Sequence, residues 1–87
     1  MPILYGDQLA ARLDPKFHRE TETLVINGFW LENERLGKEA DFAEALVRGL
    51  TRLAKFVNAR DVDGAVVKPP ALRKHIQARM QEFRSRR

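Results

Sequence analysis

Ile3-Leu4-Tyr5-Gly6-Asp7-Gln8-Leu9-Ala10-Ala11-Arg12-Leu13-Asp14 decides how the first third of this 87-residue chain folds. Gly6-Asp7 is a two-residue loop whose leading glycine supplies the positive φ of a type II′ hairpin turn. A strand of residues 3–5 therefore folds back on a strand that starts at Gln8. In that second strand Leu9, Ala11 and Leu13 alternate with Ala10, Arg12 and Asp14, so period-two geometry predicts an apolar row on one face and a polar row on the other. Pro15 cannot donate a ladder hydrogen bond and is expected to end pairing, leaving residues 16–22 as a solvated connection. A third strand is expected from near Thr21. Its Thr23-Leu24-Val25-Ile26 run is apolar on both faces, as in a central strand covered on each side, and Gly28 suggests a bulge before Phe29-Trp30-Leu31.

Beyond a loop at 32–38, the pattern changes period. Ala43, Leu46, Val47, Leu50, Leu53, Ala54 and Val57 fall on one stripe of a helix spanning 42–58. Asp41 followed by Glu44 resembles a capping box, and both carboxylates suit the positive end of the helix. Residues 61–64 read as a turn, Ala65-Val66-Val67 as a short additional strand, and Pro69-Pro70 as a break. Leu72, Ile76, Met80 and Phe83 then repeat at helical spacing, with Arg73, Lys74, Gln77, Arg84, Arg86 and Arg87 directed elsewhere. The expectation is one α+β domain over 1–87: a small antiparallel meander of three to four strands (2–33), a long amphipathic helix (41–58), a turn and linker (59–70) and a C-terminal helix (71–84).

Composition narrows the function. Hydrophobic residues make up 44% and charged residues 32%, which suits a folded globular chain. The absence of cysteine excludes disulfides, thiolate chemistry and sulfur-based zinc sites, and fits a reducing, cytoplasmic setting. No apolar run approaches the roughly 18 residues of a membrane span, and the start lacks the pattern of a secretory signal. No P-loop, dinucleotide fingerprint or G-x-S-x-G motif is present. His18 and His75 stand in no metal-ligating spacing, and both read as solvated side chains. Asp61 and Asp63 begin like a calcium loop, but the third carboxylate and closing glutamate are missing. The chain is therefore expected to be no enzyme and to carry no metal or cofactor.

Charge is unevenly divided. Residues 1–43 hold five basic and eight acidic side chains, whereas 44–87 hold eleven basic and four acidic ones. Within the basic half Arg48, Arg52 and Lys55 lie at i, i+4 and i+7, a stripe opposite the apolar one on the long helix. Such a row can contact phosphates, and it is also what the polar face of any surface helix offers, with Glu44 placed to pair with Arg48. Trp30 could stack on a base, but between Phe29 and Leu31 it reads as core packing.

The run from Pro2 through Leu4-Tyr5-Gly6-Asp7, Arg12-Leu13-Asp14, Lys16 and Arg19, continuing to Leu24-Val25-Ile26, Trp30-Leu31-Glu32 and Leu53-Ala54-Lys55-Phe56, resembles the C-terminal part of the winged-helix YcaQ-like proteins. These are bacterial DNA glycosylases associated with crosslink and alkylation repair. The resemblance covers nearly all of residues 2–58. It implies a partial-barrel terminal domain that completes or supports a DNA-binding architecture. The family's catalytic glutamines form a Q-x-Q motif in an upstream winged-helix region, whereas this chain has only Gln8, Gln77 and Gln81, none so spaced. It also implies Arg12, Lys16 and Arg19 as candidate contacts with nucleic acid, although Arg12 and Asp14 share a strand face and could pair with each other. The implied partners are double-stranded DNA, bound weakly and in a salt-sensitive way, and the upstream winged-helix domains of a parent protein. The chain fits either an excised domain or an independent small protein. A second reading is a scaffold domain that docks to such domains or to another copy of itself through an exposed apolar surface.

Overall fold

The computed structural model describes residues 1–85. Strands β1 (Pro2–Tyr5), β2 (Gln8–His18) and β3 (Thr23–Leu31) are followed by a 3-10 helix (Glu34–Lys38), helix α1 (Ala40–Phe56), strand β4 (Asp61–Asp63) and helix α2 (Pro70–Ser85). The four strands form one curled sheet in the order β1-β2-β3-β4. The first three are antiparallel as expected, and β4 adds parallel to β3, with Leu24 opposite Val62. The α+β architecture read from the sequence is the one the chain adopts. Arg86 and Arg87, assigned above to the polar side of the last helix, lie outside the described residues.

The Gly6-Asp7 loop joins β1 to β2, with Gly6 at φ 67° as that tight turn requires. Two bulges then correct the strand reading. Ile3 faces Ala11 but Leu4 faces Leu9, so Ala10 is an extra residue on β2. The slip places Ala10 and Ala11 both in the core and turns Leu9 outward, which breaks the strict alternation expected from period two. Farther along, Asp14 faces Gly28 and Pro15 faces Ile26, which leaves Asn27 unopposed next to the glycine that had suggested a bulge.

Pro15 does not end β2. The strand runs on to His18, because β1 stops alongside residues 11–12 and β2 then has a neighbour only on its β3 side. A proline at a bulge on such a half-open stretch costs little of the ladder. Consequently Lys16 and Phe17 belong to a strand rather than a loop, and β3 begins at Thr23. The strand is central by pairing, but only Leu24 and Ile26 are buried, while Val25 on the opposite face is half-buried.

Helix α1 begins at Ala40, just before the expected 41–42, and ends at Phe56 rather than at 58, with Val57 at its C-cap. Glu39 occupies its N-cap without a side-chain hydrogen bond, so Asp41 lies inside the first turn and Asp41 and Glu44 form no capping box. The predicted stripe is buried through Ala43, Leu46, Val47, Leu50 and Ala54, with Phe42 added to it. Asp61-Val62-Asp63 forms β4 rather than a turn, and Ala65-Val66-Val67 forms no strand. Val62 explains the difference: its burial beside Leu24 requires the strand there, while Val67 reaches the core from the following turn, whose N–H donates to the Gly64 carbonyl at 3.0 Å. Pro70 opens α2 at a first-turn position where a missing N–H costs nothing. Leu72, Ile76, Met80 and Phe83 of α2 join Leu24, Ile26, Phe42 and Leu50 in one core. Tyr5 closes it with its ring edge-on to Phe42 at 5.6 Å and 81°.

Both helices thus cover one face of the sheet, and the other face stays open. Two glycines contrast a tightly packed site with an open one. A Cβ on Gly37 would stand 2.6 Å from Cδ of Pro69 and 3.0 Å from Cδ1 of Leu31, whereas one on Gly49 would meet nothing within 4 Å. Gly37→Ala should therefore lower stability by about 1–3 kcal/mol through overpacking. Gly49→Ala should raise it by up to about 1 kcal/mol through helix propensity. Urea unfolding midpoints of the two variants, moving in opposite directions, are the check.

Candidate nucleic-acid interface

The six basic residues singled out from the sequence fall on two separate surfaces. Arg48, Arg52 and Lys55 are exposed on α1, on the side turned away from its buried stripe. Arg12 and Lys16 project from the open face of the sheet, on β2, and Arg19 sits in the turn that follows it. The inner face of the sheet and the helices packed on it lie between the two sets.

Their surroundings differ as well. Arg12 does not pair with Asp14. Its Nε donates to Glu32 Oε1 at 3.0 Å, because β2 and β3 place Arg12 opposite Trp30, two residues before Glu32. That ion pair is solvent-exposed on both sides and contributes about 0–1 kcal/mol, yet it occupies the guanidinium. Asp14 also shares the open face. Arg48, Arg52 and Lys55, in contrast, form no ion pair among the described residues. The partner expected for Arg48 is engaged elsewhere.

Glu44 instead bridges the two helices. One carboxylate oxygen accepts from Arg79 Nη1 at 2.5 Å and the other is hydrogen-bonded to His75 Nε2. His75 is therefore not the solvated residue expected from the sequence. It stands one turn before Arg79 on α2, on the side that meets α1. The Arg79 hydrogen bond, followed by that of His75, holds the Glu44 carboxyl below the usual glutamate range, and Glu44 in turn pushes the Arg79 guanidinium further up. These titration shifts fall on the seam between the helices and not on the cationic row, which marks them as structural.

Next to the row lies a groove of about 560 Å³ between β1 and α1. Ile3, Leu13, Leu46 and Leu53 give it aliphatic walls, Tyr5 adds one aromatic ring, Gly49 leaves a gap in the helix surface, and Arg48 and Arg52 stand at its edge. No carboxylate lines it. The sequence reading missed this groove, and the one available signal was a glycine in mid-helix, which costs about 1 kcal/mol against alanine and so calls for a spatial reason.

Trp30 also departs from expectation. It is 58% exposed on the open face, with its indole ring over Gly28: a Cβ there would stand 2.4 Å from the ring. The bulge at Asn27 and the absence of a side chain at 28 make room for it. Leu4 and Leu9, paired across β1 and β2, are exposed as well. Among the described residues no group of three or more His, Asp or Glu side chains is placed to hold a metal ion, and no helix is long and apolar enough to cross a membrane.

Because the folded-state pKa of Glu44 is depressed, its bridge stabilises fully above the ordinary glutamate range and is lost as pH falls through the folded value. Glu44→Gln should therefore leave a shallower fall in stability on acidification below about pH 5 than the wild-type chain shows, as read from urea midpoints across that range. An unchanged acid slope would contradict the bridge. Comparison with protein-family models, curated proteins and solved structures finds no match for this chain.

Proposed function

We propose that this chain is a non-catalytic accessory domain of a winged-helix, YcaQ-like DNA-repair protein, and that the exposed face of α1 supports binding to double-stranded DNA. The observation that carries the reading is the row Arg48, Arg52 and Lys55: three cations on one helix face, solvent-accessible and without a carboxylate partner among the described residues. Phosphate contacts of this kind give affinity without reading bases, and they weaken steeply with salt. The excess of basic over acidic side chains in residues 44–87 supports the same assignment. Lys16 and Arg19 also form no ion pair among the described residues, but they share the open sheet face and its turn with Asp14, Glu20 and Glu32, so they add less to the attraction.

A second reading has its own support. The uncovered face of the sheet exposes Leu4 at 66%, Trp30 at 58% and Leu9 at 37%, which suits docking against upstream domains of a parent protein or a second copy.

Titration of a fluorescein-labelled duplex at low salt separates the two. Direct binding predicts that Arg48→Glu with Arg52→Glu weakens affinity by at least about tenfold and lowers the slope of log affinity against log salt by about 2. Binding that is undetectable, or indifferent to the double reversal, removes direct DNA contact from the assignment.

A further inference from the structure

A polyanion resting on Arg48, Arg52 and Lys55 uses the cationic row and leaves the adjoining groove without a role. The two features are neighbours on one element. Residues 45–53 of α1 form one wall of the groove over roughly 12 Å of helix, and the row Arg48, Arg52, Lys55 runs along the same helix for about 10 Å. The lining is mostly aliphatic, and its one aromatic ring, Tyr5, is engaged edge-on with Phe42, which suits leucine-like side chains better than stacked bases. Leu4 projects at the rim.

We propose that the groove between β1 and α1 is a docking site for an acidic amphipathic helix of a partner protein. Its apolar stripe fills the groove, and its carboxylates, repeated at i and i+4, face Arg48 and Arg52. Charge complementarity selects the occupant: both charged side chains on the lining are arginines, they have no ion-pair partner among the described residues, and their spacing of one helical turn, about 6 Å, matches carboxylates one turn apart on a second helix. An added strand fits less well. The edge strand β1 is four residues long and begins with Pro2, which has no N–H to donate to an incoming chain. Gly49 lets the incoming element approach the α1 backbone closely, which gives its presence in mid-helix a reason. The proposal shares Arg48 and Arg52 with the DNA reading but adds the groove, so Gly49→Leu, which leaves the cationic row intact, separates failure of the one from failure of the other.

The test is selection of 16-residue peptides displayed on phage against the full chain, followed by fluorescence anisotropy of the enriched peptides made synthetically. Two variants serve as counter-targets: Arg48→Glu with Arg52→Glu, and Gly49→Leu, which fills the groove and should fold at least as stably as the wild type because leucine is the better helix former. The expected result is enrichment of sequences with Asp or Glu one turn apart beside apolar residues at helical spacing, with affinity falling at least about tenfold in each variant. Backbone amide shifts on binding should concentrate in β1 and α1. Selection of no peptides, of peptides without acidic residues, or of peptides indifferent to Gly49→Leu overturns the proposal. So does concentration-dependent dimerisation abolished by Gly49→Leu, which would give the groove to a second copy. Duplex binding abolished by Gly49→Leu would give it to nucleic acid and likewise overturn the proposal.

Discussion

Two helices share one face of a four-stranded sheet, and the rest of the molecule follows from that division. Strand β3 is the hub, paired with β2 on one side and β4 on the other, with Leu24 and Ile26 facing the helices. Phe42 and Leu50 from α1, and Leu72, Ile76 and Met80 from α2, meet there as the largest buried side chains. Neither helix covers the face alone, so the seam between them must close as well. With the helices committed to this side, the open face of the sheet stays uncovered, and its charged side chains stand around the exposed Leu4, Leu9 and Trp30.

Polar contacts set the pose of these elements more than they supply stability. Glu44 fixes α1 against α2 through His75 and Arg79, and Arg84 reaches Asp61 at 3.5 Å to tie the end of α2 to β4. At the far edge Arg60 holds Glu22 twice, by a side-chain ion pair at 2.9 Å and by its N–H on the Glu22 carbonyl at 2.7 Å, which anchors the approach to the parallel strand. Each is partly or wholly solvated and contributes modestly. Together they keep α1 oriented so that its cationic row and its groove lie side by side.

The parts of the fold that local chemistry controls were legible in the residues. The glycine turn at 6, the amphipathic stripe of α1 and the 72-76-80-83 repeat of α2 need no distant partner to be recognised. What required the third dimension was pairing across the chain. Val62 reads as part of a turn until Leu24 is beside it, and Pro15 reads as a terminator until β1 is seen to have ended. Trp30 reads as core until two bulges have reset which side chains face inward. The same holds for the candidate site. The row at 48, 52 and 55 follows from helical periodicity, but the groove needs a hairpin more than forty residues earlier to form its second wall. Glu44, likewise, is a plausible partner for Arg48 in sequence, and α2 takes it in space.

The tryptophan on the open face has an optical consequence. It is the chain's one indole, and it rests on a glycine in contact with water rather than in the core. Its emission is therefore that of a solvated ring already in the native state, so loss of the core changes the wavelength little. The same placement makes it a sensitive reporter of anything that settles on the sheet, because a covering surface would exclude the water that an exposed indole now meets.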